Sequence, residues 1–181
     1  MPFLRSAPHL AAWLGRANSG IGYADLLAIE KPVLGSFRCD IAVGDSSSRQ
    51  FTLVEIEDAR PNSVFEPVKG RDYPRWSSRF ERGFSQLLDW AWRIDHERQP
   101  SATLEAAFGT ADPKVHYLLV IGRDQWIGDA GRARLHWRRL HNGISGQRTT
   151  IWTYDDLLNF VSLRLRGAER DGYALTGIGA P

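Results

Sequence analysis

The sequence predicts an α/β fold: a mixed central β-sheet that begins as an antiparallel meander, takes on further strands and is flanked by helices. Three observations lead to it. Residues 26–57 hold three strand-like runs separated by polar turns. Residues 79–95 and 154–165 repeat apolar side chains at helical spacing. Between them, HYLLVIG at 116–122 is apolar enough for a central strand covered on both faces. A chain of 181 residues, 43% hydrophobic and 11% aromatic, has the apolar material for one ordered core. The expected organisation is a single domain over 1–181, with its core at about 22–166, a leading helix and turn at 1–21 and a loose tail at 167–181.

The first element in chain order is a short helix at 8–16, followed by a Gly-rich turn at 18–22. LLAIEKPV at 26–33 runs as a strand into a turn at Gly35. In the next run Phe37, Cys39, Ile41 and Val43 alternate with Arg38, Asp40 and Ala42, the pattern of a half-buried strand. GDSSSR at 44–49 supplies a polar hairpin connection, and FTLVEIE at 51–57 returns beside it. From Asp58 the chain passes Pro61, Pro67 and Pro74 in a loop of roughly twenty residues, longer than ordinary connections and so a candidate for function. Ser77 or Ser78 caps a helix at 79–95. Its Phe80, Phe84, Leu87, Leu88, Ala91 and Ile94 form a packing face, and its Arg79, Arg82, Gln86 and Arg93 a positive one. A short helix is expected at 102–108, and GRARLHWRRL at 131–140 reads as a helix with Arg132, Arg134, Arg138 and Arg139 exposed. A short strand at 149–152 leads to TYDD at 153–156, a capping box in which the Thr153 hydroxyl and the Asp156 carboxylate satisfy helix-start amides. Tyr154, Leu157, Leu158, Val161 and Leu165 are the buried stripe of the helix it opens.

Composition narrows the function classes. The longest apolar run, YLLVI at 117–121, is too short to cross a bilayer, and the start MPFLRSAP lacks the apolar stretch of a secretion signal; the expectation is a cytoplasmic protein that does not contact membranes. Cys39 is the one cysteine and reads as a buried, inert thiol. His9, His96, His116, His136 and His141 never fall at zinc spacing, and His116 reads as structural. Net charge is only +2, but the cations are arginines, with Lys31, Lys69 and Lys114 the three lysines. Arginine suits bidentate phosphate contacts and stacking on bases, so the chain is compatible with nucleic acid. Candidate contacts are Arg79 and Arg82 on one helix and Arg132, Arg134, Arg138 and Arg139 around Trp137 on another, where a solvated helix face is the competing reading. Trp76, Trp90 and Trp92 can stack on bases or fill the core, and Trp90 is assigned to the core.

The chemistry points to LVEIEDA at 53–59. Side chains two apart on a strand project to one side, so Glu55 and Glu57 share a face, and Asp40 joins them if the hairpin pairs as drawn. Like charges this close repel by several kcal/mol, so the group persists only if protonated, paired with cations or holding a metal. Three oxygen ligands suit a hard divalent ion such as Mg²⁺ or Mn²⁺. The competing reading is two strand-edge acids facing Arg38 or Arg49. A glycosidase pair is a further alternative, since about 6 to 7 Å separates such carboxylates at the backbone, but nothing else in the chain suggests a sugar cleft.

Four segments in order, CDIAVGDSSSRQFTLVEIEDARPNSVFEPVKG, WSSRFERGFSQLLDW, YLLVIGRD and TYDDLL, resemble the Shedu family of anti-phage nuclease domains, a branch of the PD-(D/E)xK superfamily. The resemblance implies a restriction-endonuclease-like fold and a Mg²⁺- or Mn²⁺-dependent deoxyribonuclease that hydrolyses phosphodiester bonds of DNA in defence against phage. It makes Asp40 the first signature acid and Glu55 the second, both as metal ligands. The third position, usually lysine, is Glu57 here. Either Lys69 serves from the loop, or Glu57 acts as ligand or base; where neither holds, the fold keeps the binding of DNA or a protein partner and loses cleavage. Gln86 matches the helix glutamine that in related nucleases reaches the metal site or the substrate backbone. Glu30 is either an auxiliary acid or a solvated strand end. Self-association is implied by resemblance alone.

Overall fold

The computed structural model describes residues 6–35, 37–97, 101–144 and 147–170, and within them the apolar runs foreseen at 26–57 and 116–122 become neighbours in one sheet. The elements are helix α1 (Pro8–Gly15), strands β1 (Leu26–Val33), β2 (Phe37–Asp45) and β3 (Gln50–Ile56), the short strands β4 (Phe65–Glu66) and β5 (Arg75–Trp76), helices α2 (Ser78–His96) and α3 (Ala102–Phe108) and strand β6 (Lys114–Val120). A 3-10 turn (Asp124–Trp126), helix α4 (Gly128–His141), strands β7 (Gly143–Ile144) and β8 (Gln147–Trp152) and helix α5 (Tyr154–Arg170) complete the chain. The main sheet runs in the order β1-β2-β3-β6-β8-β7. β1, β2 and β3 form the antiparallel meander, after which β3 pairs parallel with β6, and β6 with β8.

Strand periodicity splits the apolar side chains of the sheet into two layers. On one face Leu53, Tyr117, Leu119 and Ile151 meet α2 through Phe80, Leu87, Trp90 and Ile94, together with Leu104 of α3 and Leu135 of α4. On the other, Ile41, Val43, Val54, Leu118 and Val120 meet Ala11 and Leu14 of α1 and Tyr154 and Leu157 of α5. β6 is therefore covered on both sides, as its continuous apolar run requires. Each fully buried Leu or Ile contributes about 1.5–3 kcal/mol relative to exposure, and this double layer is what holds the strand ends in place.

The alternation expected in β2 breaks at Asp40. Ile41 and Val43 face α1, whereas Cys39 packs in the opposite layer. The β1–β2 ladder omits the pair Glu30 and Asp40, and Glu30 has φ 54°, a left-handed conformation that a residue with a side chain adopts only under constraint. The face presented by β2 changes across that kink. The Cys39 thiol is fully buried, and burial pushes it up to about 12, so it is inert as foreseen.

Other differences follow from tertiary packing. Leu88 and Leu158, placed in apolar stripes by spacing, are 42% and 56% exposed. Both lie at the margin of a helix face wider than the contact that covers it. α4 begins at Gly128 instead of 131, because a 3-10 turn already starts the coil. Residues 167–170, expected as loose tail, continue α5, and the remainder of that tail lies outside the described residues. Among the described residues no helix is long and apolar enough to cross a membrane. The helix caps formed as foreseen: of Ser77 and Ser78 it is Ser77 that accepts from the Phe80 amide, and in the capping box Thr153 accepts from the Asp156 amide at 3.1 Å while Asp156 accepts from the Thr153 amide at 2.8 Å.

Candidate metal and nucleic-acid site

The acids of β2 and β3 lie where these two strands part. Their ladder ends at Ile41 and Val54, and the next register position sets Asp40 opposite Glu55. Beyond that point a side chain replaces the backbone partner: the Ile56 amide donates to Asp40 Oδ2 at 2.8 Å. β3 continues in parallel pairing with β6, through Ile56 with Val120 and the Glu57 amide to the Val120 carbonyl at 2.9 Å. Asp40 is thus held at the carboxyl end of β3 and β6, the end at which α/β sheets bind ligands.

Glu55 is the most constrained of the three acids. It is 8% exposed, and burial together with the negative charges of Asp40 and Glu57 pushes its carboxyl up to about 8, while a hydrogen bond from Gln86 and the charge of Arg82 act in the opposite direction. Asp40 is also raised, first by burial and then by the charges of Glu30 and Glu57, against the hydrogen bond from Ile56. A buried carboxyl with other acids as neighbours is an incompletely compensated negative site, the environment that a cation relieves.

Glu57 has a different environment. Arg79 Nη1 lies 3.1 Å from its Oε2 and Arg82 Nε 3.7 Å from its Oε1, both reaching down from α2, and Arg79 also lies 3.4 Å from Asp58. Gly83 makes this approach feasible. A Cβ there would come within 2.9 Å of Leu119 and 3.1 Å of Glu57 Cγ, so a larger side chain would prop the helix away from the acid. Among the described residues no three His, Cys, Asp or Glu side chains are grouped to hold one metal ion, and the expected trio resolves into a facing pair, Asp40 and Glu55, beside an arginine-bound Glu57.

Gln86 sits on α2 two turns from Arg79 and reaches Glu55. Lys69 is exposed in the turn between β4 and β5 and makes no ion pair among the described residues. The arginines of α4 are not the exposed row that spacing suggested. Arg132 is exposed and pairs with Asp129, but Arg134 lies over the Phe65 and Trp76 rings, Arg138 over Trp76, Phe80 and Phe84 with Glu81 at 3.0 Å, and Arg139 holds Asp156. Guanidinium planes stack on aromatic faces and bury their stems, which helical spacing alone does not reveal. Trp90 is fully buried, as assigned, and His116 is held near 4 by burial with its Nε2 at 2.9 Å from the Thr150 hydroxyl, a neutral cross-strand partner.

Three further residues have no role at the site in the sequence reading, which places Tyr154 only in the buried stripe of its helix. The Tyr154 hydroxyl donates to the Glu57 carbonyl at 2.7 Å, tying α5 to the end of β3. Asp58 accepts from Ser63 and pairs with Arg60 and Arg79, so it closes the start of the long loop. Arg123, directly after the central strand, makes a two-pronged contact to Asp155 at 2.9 and 3.0 Å, which locks α5 to that strand. The position of Tyr154 inside a capping box next to the strand ends was the available signal for the first; the other two depend on loops that fold back over long sequence separations.

No curated protein matches the chain. A family model matches residues 2–158, nearly the whole span of the sheet and its helices, and its description is Shedu protein SduA, C-terminal. With the acids, the Gln86 helix and the Arg123 lock all inside that span, the chain belongs to the Shedu SduA C-terminal family.

Proposed function

We propose that this protein is a metal-dependent DNA endonuclease that hydrolyses phosphodiester bonds and acts in anti-phage defence. The observation that carries this reading is Glu55: a buried carboxyl at the carboxyl end of the sheet, raised to about 8 by burial and neighbouring acids, with Asp40 at the facing register position. Family membership supports the defence context.

The donor set fits a hard divalent ion. Asp40 and Glu55 offer two facing carboxylates, hard oxygen donors of the kind Mg²⁺ or Mn²⁺ takes with waters in the other positions. When bound, the ion would withdraw charge from the scissile phosphate and supply an acidified water for in-line attack. Gln86 orients Glu55 through its hydrogen bond, and the Ile56 amide fixes Asp40. Glu57, at the position where lysine is usual, is the anchor for Arg79 and Arg82, so cationic charge at this corner comes from α2. Arg82, whose side chain is 62% exposed, is the one best able to meet a phosphate. Lys69 is a second cation that the loop could bring to substrate, and Arg132 a peripheral backbone contact.

A second reading, a nuclease fold that binds DNA or a protein partner without cutting, is favoured by the same ion pairs, because an acid satisfied by two arginines does not position a water. Supercoiled plasmid with Mg²⁺ or Mn²⁺ separates the two. Nicking by the wild type that falls by about two orders of magnitude in Glu55→Ala supports the nuclease, and plasmid bound yet intact in every condition supports the second reading.

A further inference from the structure

Away from the acids, on the opposite flank of α2, the structure contains a hollow that the proposed chemistry does not use. Trp76, Arg134, Trp137, Arg138 and Asn142 line a cavity of about 350 Å³. We propose that it is a subsite for one unpaired nucleobase and its phosphate on a single-stranded stretch of nucleic acid. This rests on the nucleic-acid reading above and adds which form of the polymer is held.

Four features converge on that ligand. Trp137 is 62% exposed for a tryptophan, and its ring is already stacked at 4.2 Å on His141 one helical turn on, which leaves a stiff aromatic platform. A ring with a free surface takes a base without regard to its identity. Arg134 and Arg138 are held over the Phe65, Trp76, Phe80 and Phe84 rings, Arg134 also by the Pro74 carbonyl and Arg138 by Glu81 at 3.0 Å, so both guanidinium groups are placed before any ligand arrives, and Arg134, with no acid on it among the described residues, is the one to meet a phosphate. Among the described residues the Asn142 side-chain nitrogen is buried without a hydrogen-bond partner, and a base carbonyl or ring nitrogen would satisfy it.

The fourth feature favours a polymer over a free nucleotide. A second hollow of about 540 Å³, formed by the 70–75 loop, shares Trp76 and Arg134 as its wall with the first and adds the 69% exposed Tyr73. Two neighbouring hollows with a common wall and an exposed aromatic in each suit two successive nucleotides. A base paired within a duplex cannot reach either ring face, so the subsite selects unpaired strand.

Fluorescence anisotropy with a labelled short oligothymidylate, and with an abasic oligonucleotide of the same length and charge, tests this. The wild type should prefer the thymidylate by about tenfold, the scale of one base stack. Trp137→Ala should lose that preference while keeping its affinity for the abasic strand, which shows that it is folded, and Trp137→Phe should recover most of it. Equal affinity of the wild type for both strands, no binding to either, or a preference unchanged in Trp137→Ala overturns the subsite. The nuclease reading fails separately, by an intact plasmid, with the base preference still measurable.

Discussion

Glu55 shows how much of this site is decided by one side chain. With its carboxyl raised to about 8 from an ordinary 4.5, the folded protein binds a proton that the unfolded chain has released over that interval. Stability of the metal-free protein therefore falls as pH rises from about 4.5 to about 8 on account of this group. Glu55→Gln should remove that dependence, so its melting temperature in chelator should rise relative to wild type as pH increases across the window; a constant difference would contradict it. Glu57 gives the opposite lesson. Glu57→Lys would leave Arg79 and Arg82 facing a third cation at a site where the acid side chain is only 11% exposed. A loss of roughly 1–3 kcal/mol in urea unfolding is expected, tempered by the exposure of both arginines, with no gain of cleavage.

At the scale of elements, α2 is the organiser. One side of it fills the core with Phe80, Leu87, Trp90 and Ile94, and the neighbouring side delivers Arg79, Arg82 and Gln86 to the acids. Glycine inside a helix costs about 1 kcal/mol against alanine, and Gly83 is retained at the point where α2 comes closest to Glu57 and Leu119. Gly83→Val should lift the helix, destabilise by about 2 kcal/mol and loosen the Glu57 ion pairs, read as a lower denaturation midpoint; a neutral outcome would mean that the contact yields without strain. The helix itself was legible from its apolar spacing and its Ser77 cap. Its partner across the site was not, because which acid an arginine meets depends on the pairing of strands more than twenty residues upstream.

Over the whole molecule, the sheet brings together the carboxyl ends of β3 and β6 and the start of α5, with Arg123 and Asp155 as the clasp. A ligand bound only by this assembled corner adds its binding energy to folding. Mn²⁺ at a hundred times its dissociation constant should raise the melting temperature by about 5 °C or more, from ~2.7 kcal/mol on a chain of this size. Asp40→Asn and Glu55→Gln should each abolish the rise, and a rise that survives both would place the ion elsewhere.

Strand alternation, helical spacing and capping boxes are local, with periods of two and about 3.6 residues, and so the meander, the doubly covered β6, α2 and the Thr153–Asp156 cap could be read directly from the chain. The same period put Glu55 and Glu57 on one side and Asp40 across from them. Three things were left to tertiary structure: the Glu30 kink that turns β2, the arginines of α2 that claim Glu57, and the aromatic faces that absorb Arg134 and Arg138. Each is a contact between segments distant in sequence, and charge pairing across such distances is set by packing that no local pattern encodes.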